Sequence, residues 1–156
     1  MSNPQELRMF RSLLVSLSLL AAASAHAADG LILFKSPHAP KATMDRFESV
    51  VSGKGMTVFA RIDHAAGAAK VGQALRPTEV IVFGNPQGGT PFMQCAQSVG
   101  IDLPLKVLVW ADADGQTWLG YNDPVWLAAR HAAGDCPVVP RIAAALSAFA
   151  GAATAP

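Results

Sequence analysis

Two β-forming runs, residues 105–110 and 116–121, stand on either side of Asp112-Ala113-Asp114-Gly115. So short a turn joins antiparallel neighbours only, because a parallel pair needs a crossover of a dozen residues or more. The sheet this chain builds therefore cannot be wholly parallel.

Around that hairpin, short apolar runs alternate with helical patterns. Residues 31–34 read as a strand, broken by Ser36-Pro37-His38-Ala39-Pro40. Met44, Phe47, Val50 and Val51 recur at helical spacing, and Gly53 and Gly55 end that helix. Thr57, Val58, Phe59 and Ile62 mark a strand over 56–62. Residues 65–75 read as a short helix halted at Arg76-Pro77, and 80–83 as a buried strand. Phe92, Ala96 and Val99 predict a helix with Thr90 as N-cap and Pro91 at its first position, running to Gly100. Asp123-Pro124 opens another through His131, and Val138, Ile142, Leu146 and Phe149 carry the last. The expected order is β-α-β-α-β-α-β-β-α-α. It predicts an α+β fold of two layers, a mainly antiparallel sheet with helices on one face. A doubly wound parallel sheet is the alternative.

An apolar share of 51% against 15% charged residues excludes a disordered chain. Arg8 and Arg11, the apolar stretch 13–23 and the small-x-small site Ala25-His26-Ala27 predict a signal peptide over 1–27. That stretch is too short to span a bilayer. One domain over 28–150 and a flexible tail over 151–156 are expected to follow, in the periplasm or secreted, with no membrane contact after signal removal. The leader carries Arg8, Arg11 and Glu6, so the remainder holds ten basic and ten acidic residues. No basic excess remains to neutralise phosphates, which argues against a nucleic-acid binder. In an oxidising compartment Cys95 and Cys136 are expected to form a disulfide closing a loop of about 42 residues, worth roughly 4 kcal/mol. Two separate buried thiols are the alternative.

A string of spaced motifs carries a resemblance. It runs Asp63-His64, Leu75-Arg76-Pro77-Thr78, Phe83-Gly84-Asn85-Pro86-x-x-Gly89-Thr90-x-x-Met93 and Asp102-Leu103-Pro104-Leu105-Lys106 with Trp110. It ends with Trp118-x-x-Tyr121-Asn122-Asp123-Pro124 and Leu127-Ala128-x-Arg130-His131. Over residues 31–133 the chain resembles the bacterial "domain of unknown function 302" family. The resemblance implies a compact α+β domain similar to the TATA-binding-protein-like arrangement of strand, helix, four strands and helix. It also implies a possible homodimer, and it implies no reaction.

The loop from Gly84 to Thr90 leaves a buried strand and enters a helix. Unpaired amides and the helix dipole there favour an anion, such as a carboxylate or phosphate, held by Asn85, Gly88, Gly89 and Thr90. No lysine follows the glycines, so it is not a Walker loop. The alternative is a tight structural connection. His64 is a candidate base, donor or metal ligand, set against a structural histidine. Tyr121 and Asn122 are candidates for a cleft rim, with Asp123 as an N-cap beside them. Asp102 is either a loop cap or a site carboxylate. His38, His64, Met93, Cys95 and His131 form no metal-ligand pair in sequence, and no cofactor is expected. No Gly-x-Ser-x-Gly motif and no Ser or Cys with His at a known spacing supports nucleophilic catalysis. Three readings follow: a binder of a small, anionic ligand with His64 and the 84–90 loop in one hollow; an enzyme using His64 there as acid or base; and an interaction module in which these motifs only fix turns.

Overall fold

The computed structural model describes residues 28–156, so the predicted signal peptide lies outside the described residues. Five strands, β1 (Leu31–Ser36), β2 (Thr57–Asp63), β3 (Thr78–Gly84), β4 (Leu105–Ala111) and β5 (Thr117–Asn122), form one sheet in the order β1-β5-β4-β3-β2. Every neighbouring pair is antiparallel. This is the α+β architecture expected, and it excludes the doubly wound parallel sheet. The β4–β5 hairpin is fixed by one carboxylate. Asp112 Oδ1 accepts from the amides of Asp114 (3.0 Å) and Gln116 (2.9 Å), and Oδ2 accepts from Trp118 Nε1 at 2.7 Å. Gly115 closes the turn at φ +79°, where a side chain would be strained.

Five helices complete the fold: α1 (Pro40–Gly53), α2 (His64–Lys70), α3 (Pro86–Cys95), α4 (Pro124–Arg130) and α5 (Val139–Thr154), with a 3₁₀ turn at Gln97–Ile101. Helix α1 lies on the sheet because Met44, Phe47 and Val51 share one face and are fully buried. Phe47 meets Phe83 edge-on at 5.2 Å, a geometry worth about 1 kcal/mol beyond its buried area. Alternate residues of the strands, among them Ile81, Phe83, Val107, Val109, Leu119 and Tyr121, face the helices. Their neighbours, Leu33, Val80, Leu108, Trp110 and Trp118, point to the other face and are half-buried. At the sheet's far edge Arg61 binds Glu79 (2.7 Å), Asp45 (2.8 Å) and Glu48 (2.7 Å), tying β2 and β3 to α1. Glu79 first, then Asp45 and Glu48, hold the guanidinium well above its ordinary range.

Four boundaries differ markedly from those expected. Helix α2 stops at Lys70, because Gly72 turns left-handed (φ +74°), and residues 71–77 are exposed turn and coil. Helix α3 starts five residues early, with Asn85 rather than Thr90 as N-cap and Pro86 at its first position. It ends at Cys95, because Ala96 is extended (φ −153°, ψ 109°), and the stretch to Ile101 winds as the 3₁₀ turn. The tail expected over 151–156 is helical to Thr154, with Ala153 and Thr154 buried. Arg46 donates to the Ala153 and Ala155 carbonyls at 3.0 and 2.9 Å, which satisfies the helix C-terminus. Cys95 and Cys136 stand at disulfide distance, their Cα atoms 5.8 Å apart.

Candidate functional site

A cavity of about 640 Å³ opens where β3 ends and β4 begins. The bend from Gly84 to Thr90 forms one wall, and Leu103, Pro104 and Leu105, leading into β4, form a second. Met56 and Phe59 add the start of β2. Helix α5 closes it with Arg141, Ile142, Ala145, Leu146 and Phe149. The surface is overwhelmingly apolar, and Arg141 is the one charged side chain on it. Arg141 is exposed, and among the described residues it takes part in none of the ion pairs.

Asn85 shapes this wall. Its backbone is extended (φ −146°, ψ 157°), as an N-cap requires. Its Oδ1 accepts from the Gly88 amide at 3.0 Å, and its carbonyl accepts from Gly88 (3.3 Å) and Gly89 (3.1 Å). Its Nδ2 donates to Met56 Sδ at 3.3 Å, so one side chain ties two walls. The cradle of open Gly88 and Gly89 amides expected from the sequence is therefore not there: Asn85 itself fills it. The helix begins at Pro86 instead of Pro91, so these amides lie inside its first turn.

The sheet register separates His64 from this site. Thr57 pairs with Gly84 and Asp63 with Glu79, so the bend follows one end of β3 and His64 lies beyond the other. Six strand residues intervene, about 20 Å at 3.3 Å each. His64 is exposed at the start of α2, and Asp63 Oδ1 caps the Ala66 amide at 2.8 Å instead of orienting the imidazole. The hollow expected to hold His64 and the glycine bend together is thus not formed, and an acid or base at His64 would not reach the cavity. The cause is the antiparallel pairing, which sets the last residue of one strand against the first of the next.

Tyr121 is not at a rim. It is 3% exposed, faces the helices, and stacks with Phe34 at 6.1 Å between ring centres. Burial pushes its phenol above the ordinary value, while the Ser147 side chain opposes that shift. Asn122 is exposed, points to the opposite face of the sheet and does not line the cavity. Asp123 is the N-cap of α4, accepting from the Val125 amide at 2.9 Å. Of the predicted site residues the structure gathers Asn85, Gly88, Gly89 and Thr90, and leaves out His64, Tyr121 and Asn122. Helix α5 was legible as an apolar stripe, Ile142, Leu146 and Phe149, but a stripe does not say which part of it meets a cavity. Among the described residues no three His, Cys, Asp or Glu side chains gather as a metal site.

Fold and site together define a class: a small α+β domain with one open antiparallel sheet, helices on one face and an apolar cavity at the sheet's end. The family model "Domain of unknown function DUF302" matches residues 32–149. The chain belongs to that family. A crystal structure described as that of an uncharacterized conserved DUF302 protein from Bacillus stearothermophilus shares the fold, with a TM-score of 0.65, 21% identity, and coverage of 81% of this chain and 97% of that one. Over 105 residues, 67% of this chain, it is 48% identical to "Fluoride-specific ion channel FluC 1" of Brucella suis, of which the match covers 41%. The same identity holds for "Fluoride-specific ion channel FluC 2" of Brucella melitensis, covered to 39%. The chain thus spans about two-fifths of the length of these curated relatives. Among the described residues no helix is long and apolar enough to cross a membrane.

Proposed function

We propose that the domain binds a small, mainly apolar molecule that carries one anionic group, with the apolar part in the cavity and the anion at Arg141. The observation that carries this reading is the composition of the wall: mainly apolar side chains with Asn85, Gln87 and Thr90 along the bend, and a single guanidinium without a carboxylate partner among the described residues. A concave, mainly apolar surface with a few placed polar groups and one charge is the usual design of a small-molecule site. The anion is recognised by a side chain here, and not by the glycine amides. Octanoate has the required chemistry, and its titration with calorimetric detection tests the proposal. Saturable binding that weakens about tenfold or more in Arg141→Ala and vanishes in Ala145→Trp supports it. Equal affinity in all three proteins would refute it.

The fluoride channels of the Brucella relatives invite a comparison. Fluoride is compact and strongly hydrated, so an apolar cavity with one cation would cost it more hydration than it returns. Fluoride is therefore not the ligand we propose. An accessory role beside a membrane protein fits the partial coverage better. Export of this chain, for which the 1–27 leader argues, belongs to the same proposal.

A homodimer is a second reading, favoured by the outward sheet face. Five strands about 4.8 Å apart and about 20 Å long present roughly 500 Å² per copy, about 1,000 Å² for two, the lower bound of a specific interface. Trp110 and Trp118 pair directly across β4 and β5 on that face, and a two-fold contact would set them against their counterparts. Light scattering of the wild type and Trp110→Glu tests it: a dimer that the substitution dissociates is expected, and a monomeric wild type would contradict it.

A further inference from the structure

Ser98, Asp102 and His131 come from the 3₁₀ turn and the end of α4, on separate stretches of chain, and form one hydrogen-bonded line. Ser98 Oγ lies 2.9 Å from His131 Nδ1, and His131 Nε2 lies 2.6 Å from Asp102 Oδ2. Arg130 Nη1 reaches the other carboxylate oxygen, Asp102 Oδ1, at 3.4 Å. The spacing of these residues matches no nucleophile motif. The fold makes the pair that the spacing does not announce.

Valence fixes the direction of each bond. An ionised carboxylate only accepts, so Nε2 of a neutral His131 carries the proton. Nδ1 is then a lone pair, and the bond to it requires the Ser98 hydroxyl to donate. The burial pattern has the polarity a nucleophile needs. The His131 and Asp102 side chains are 8% and 14% exposed, whereas Ser98 is open to solvent. A clamp joining the 3₁₀ turn to α4 would be complete with Asp102, Arg130 and His131. The exposed hydroxyl on Nδ1 adds nothing to such a clamp.

We propose that Ser98 is an activated nucleophile that accepts acyl groups from small uncharged carboxylic esters, with His131 as its base and Asp102 as the positioning residue. The Ser98 Oγ–C bond forms as Nδ1 takes the hydroxyl proton. The ester C–O bond then breaks, and the departing alkoxide takes that proton from the imidazolium. Water, deprotonated by the same nitrogen, hydrolyses the acyl-serine to the acid and restores Ser98. No oxidant, metal or cofactor enters the balance. This site is separate from the cavity and stands whether or not octanoate binds there.

The full chain treated with p-nitrophenyl acetate, digested and read by mass spectrometry, should carry an acetyl group on Ser98. The p-nitrophenolate release that accompanies it should vanish in Ser98→Ala, whose exposed side chain leaves the fold intact. Acylation should slow about 100-fold in His131→Gln, the size of a general-base contribution. It should rise with pH along one titration in the wild type, and that titration should be absent from His131→Gln. Asp102→Asn, checked for unchanged melting, should slow acylation as well. An unmodified Ser98, or acetylation at equal rates in wild type, His131→Gln and Asp102→Asn, overturns the proposal and leaves the line of bonds a clamp. Should His131→Gln fail to fold, the Asp102→Asn rate and the wild-type pH profile decide between the same two outcomes.

Discussion

Single side chains hold the turning points of this chain, and Asp112 is the most exposed to test. The indole N–H of Trp118 first, then the amides of Gln116 and Asp114, hold its carboxyl below the ordinary value of 3.8. A carboxyl with a lowered folded value stabilises the fold above its unfolded value, and that contribution is lost as pH falls through the folded one. Asp112→Asn should therefore lower the melting temperature at pH 7 and narrow its drop between pH 5 and pH 2. Thermal melts across that range check both. At this scale the sequence was informative wherever a residue's partner is local. Asp112-Ala113-Asp114-Gly115 names its own turn, and Asp123-Pro124 its own helix start. Asp63 capping α2 is local too, but it shows only once β2 is known to end there; Ser98 meeting His131 across 33 residues depends on where the chain returns, and no spacing encodes that.

Helix α3 shows how a misplaced element start changes a site. Thr90-Pro91 and Asn85-Pro86 are both acceptable N-cap and first-position pairs. The chain uses the earlier one, because Asn85 also reaches Met56 Sδ, a contact on another element. Pro91 is thereby left inside the helix, where it donates no amide bond to the turn before it. The earlier start consumes the Gly88 and Gly89 amides and changes the site from an anion cradle to an apolar wall. Asn85→Ala should lose about 1 kcal/mol or more in urea denaturation, the ordinary cost of an N-cap. Octanoate affinity should fall with it, since the same side chain ties two walls of the cavity. Loss of stability with unchanged affinity would show the cap to be remote from binding.

Over the whole molecule, the antiparallel hairpin and the alternation of strands and helices were enough to predict the layers and the helix-covered face. The order β1-β5-β4-β3-β2 was not legible, because the pairing of β1 with β5 joins strands some 80 residues apart in the chain. The antiparallel pairing of β2 with β3 is what parts His64 from the bend after β3. The Cys95–Cys136 pair, at disulfide distance, joins α3 to the segment before α5, the two elements that flank the cavity, and a bond between them would staple these together. If the protein matures in an oxidising compartment, thiol titration without reductant should find no free thiol. Reduction should then lower stability by up to roughly 4 kcal/mol, the chain-entropy value for a loop of that length. Two titratable thiols in the unreduced protein would remove the staple.

If the apolar hollow between the 84–90 bend and α5 receives a ligand, backbone amide NMR during an octanoate titration will show it. Saturable shifts are expected at Gly88, Gly89, Leu103, Arg141 and Ala145, with His64 and Asn122 unmoved. Shifts that centre on the outward sheet face around Trp110 and Trp118, or that are uniform and never saturate, would contradict it.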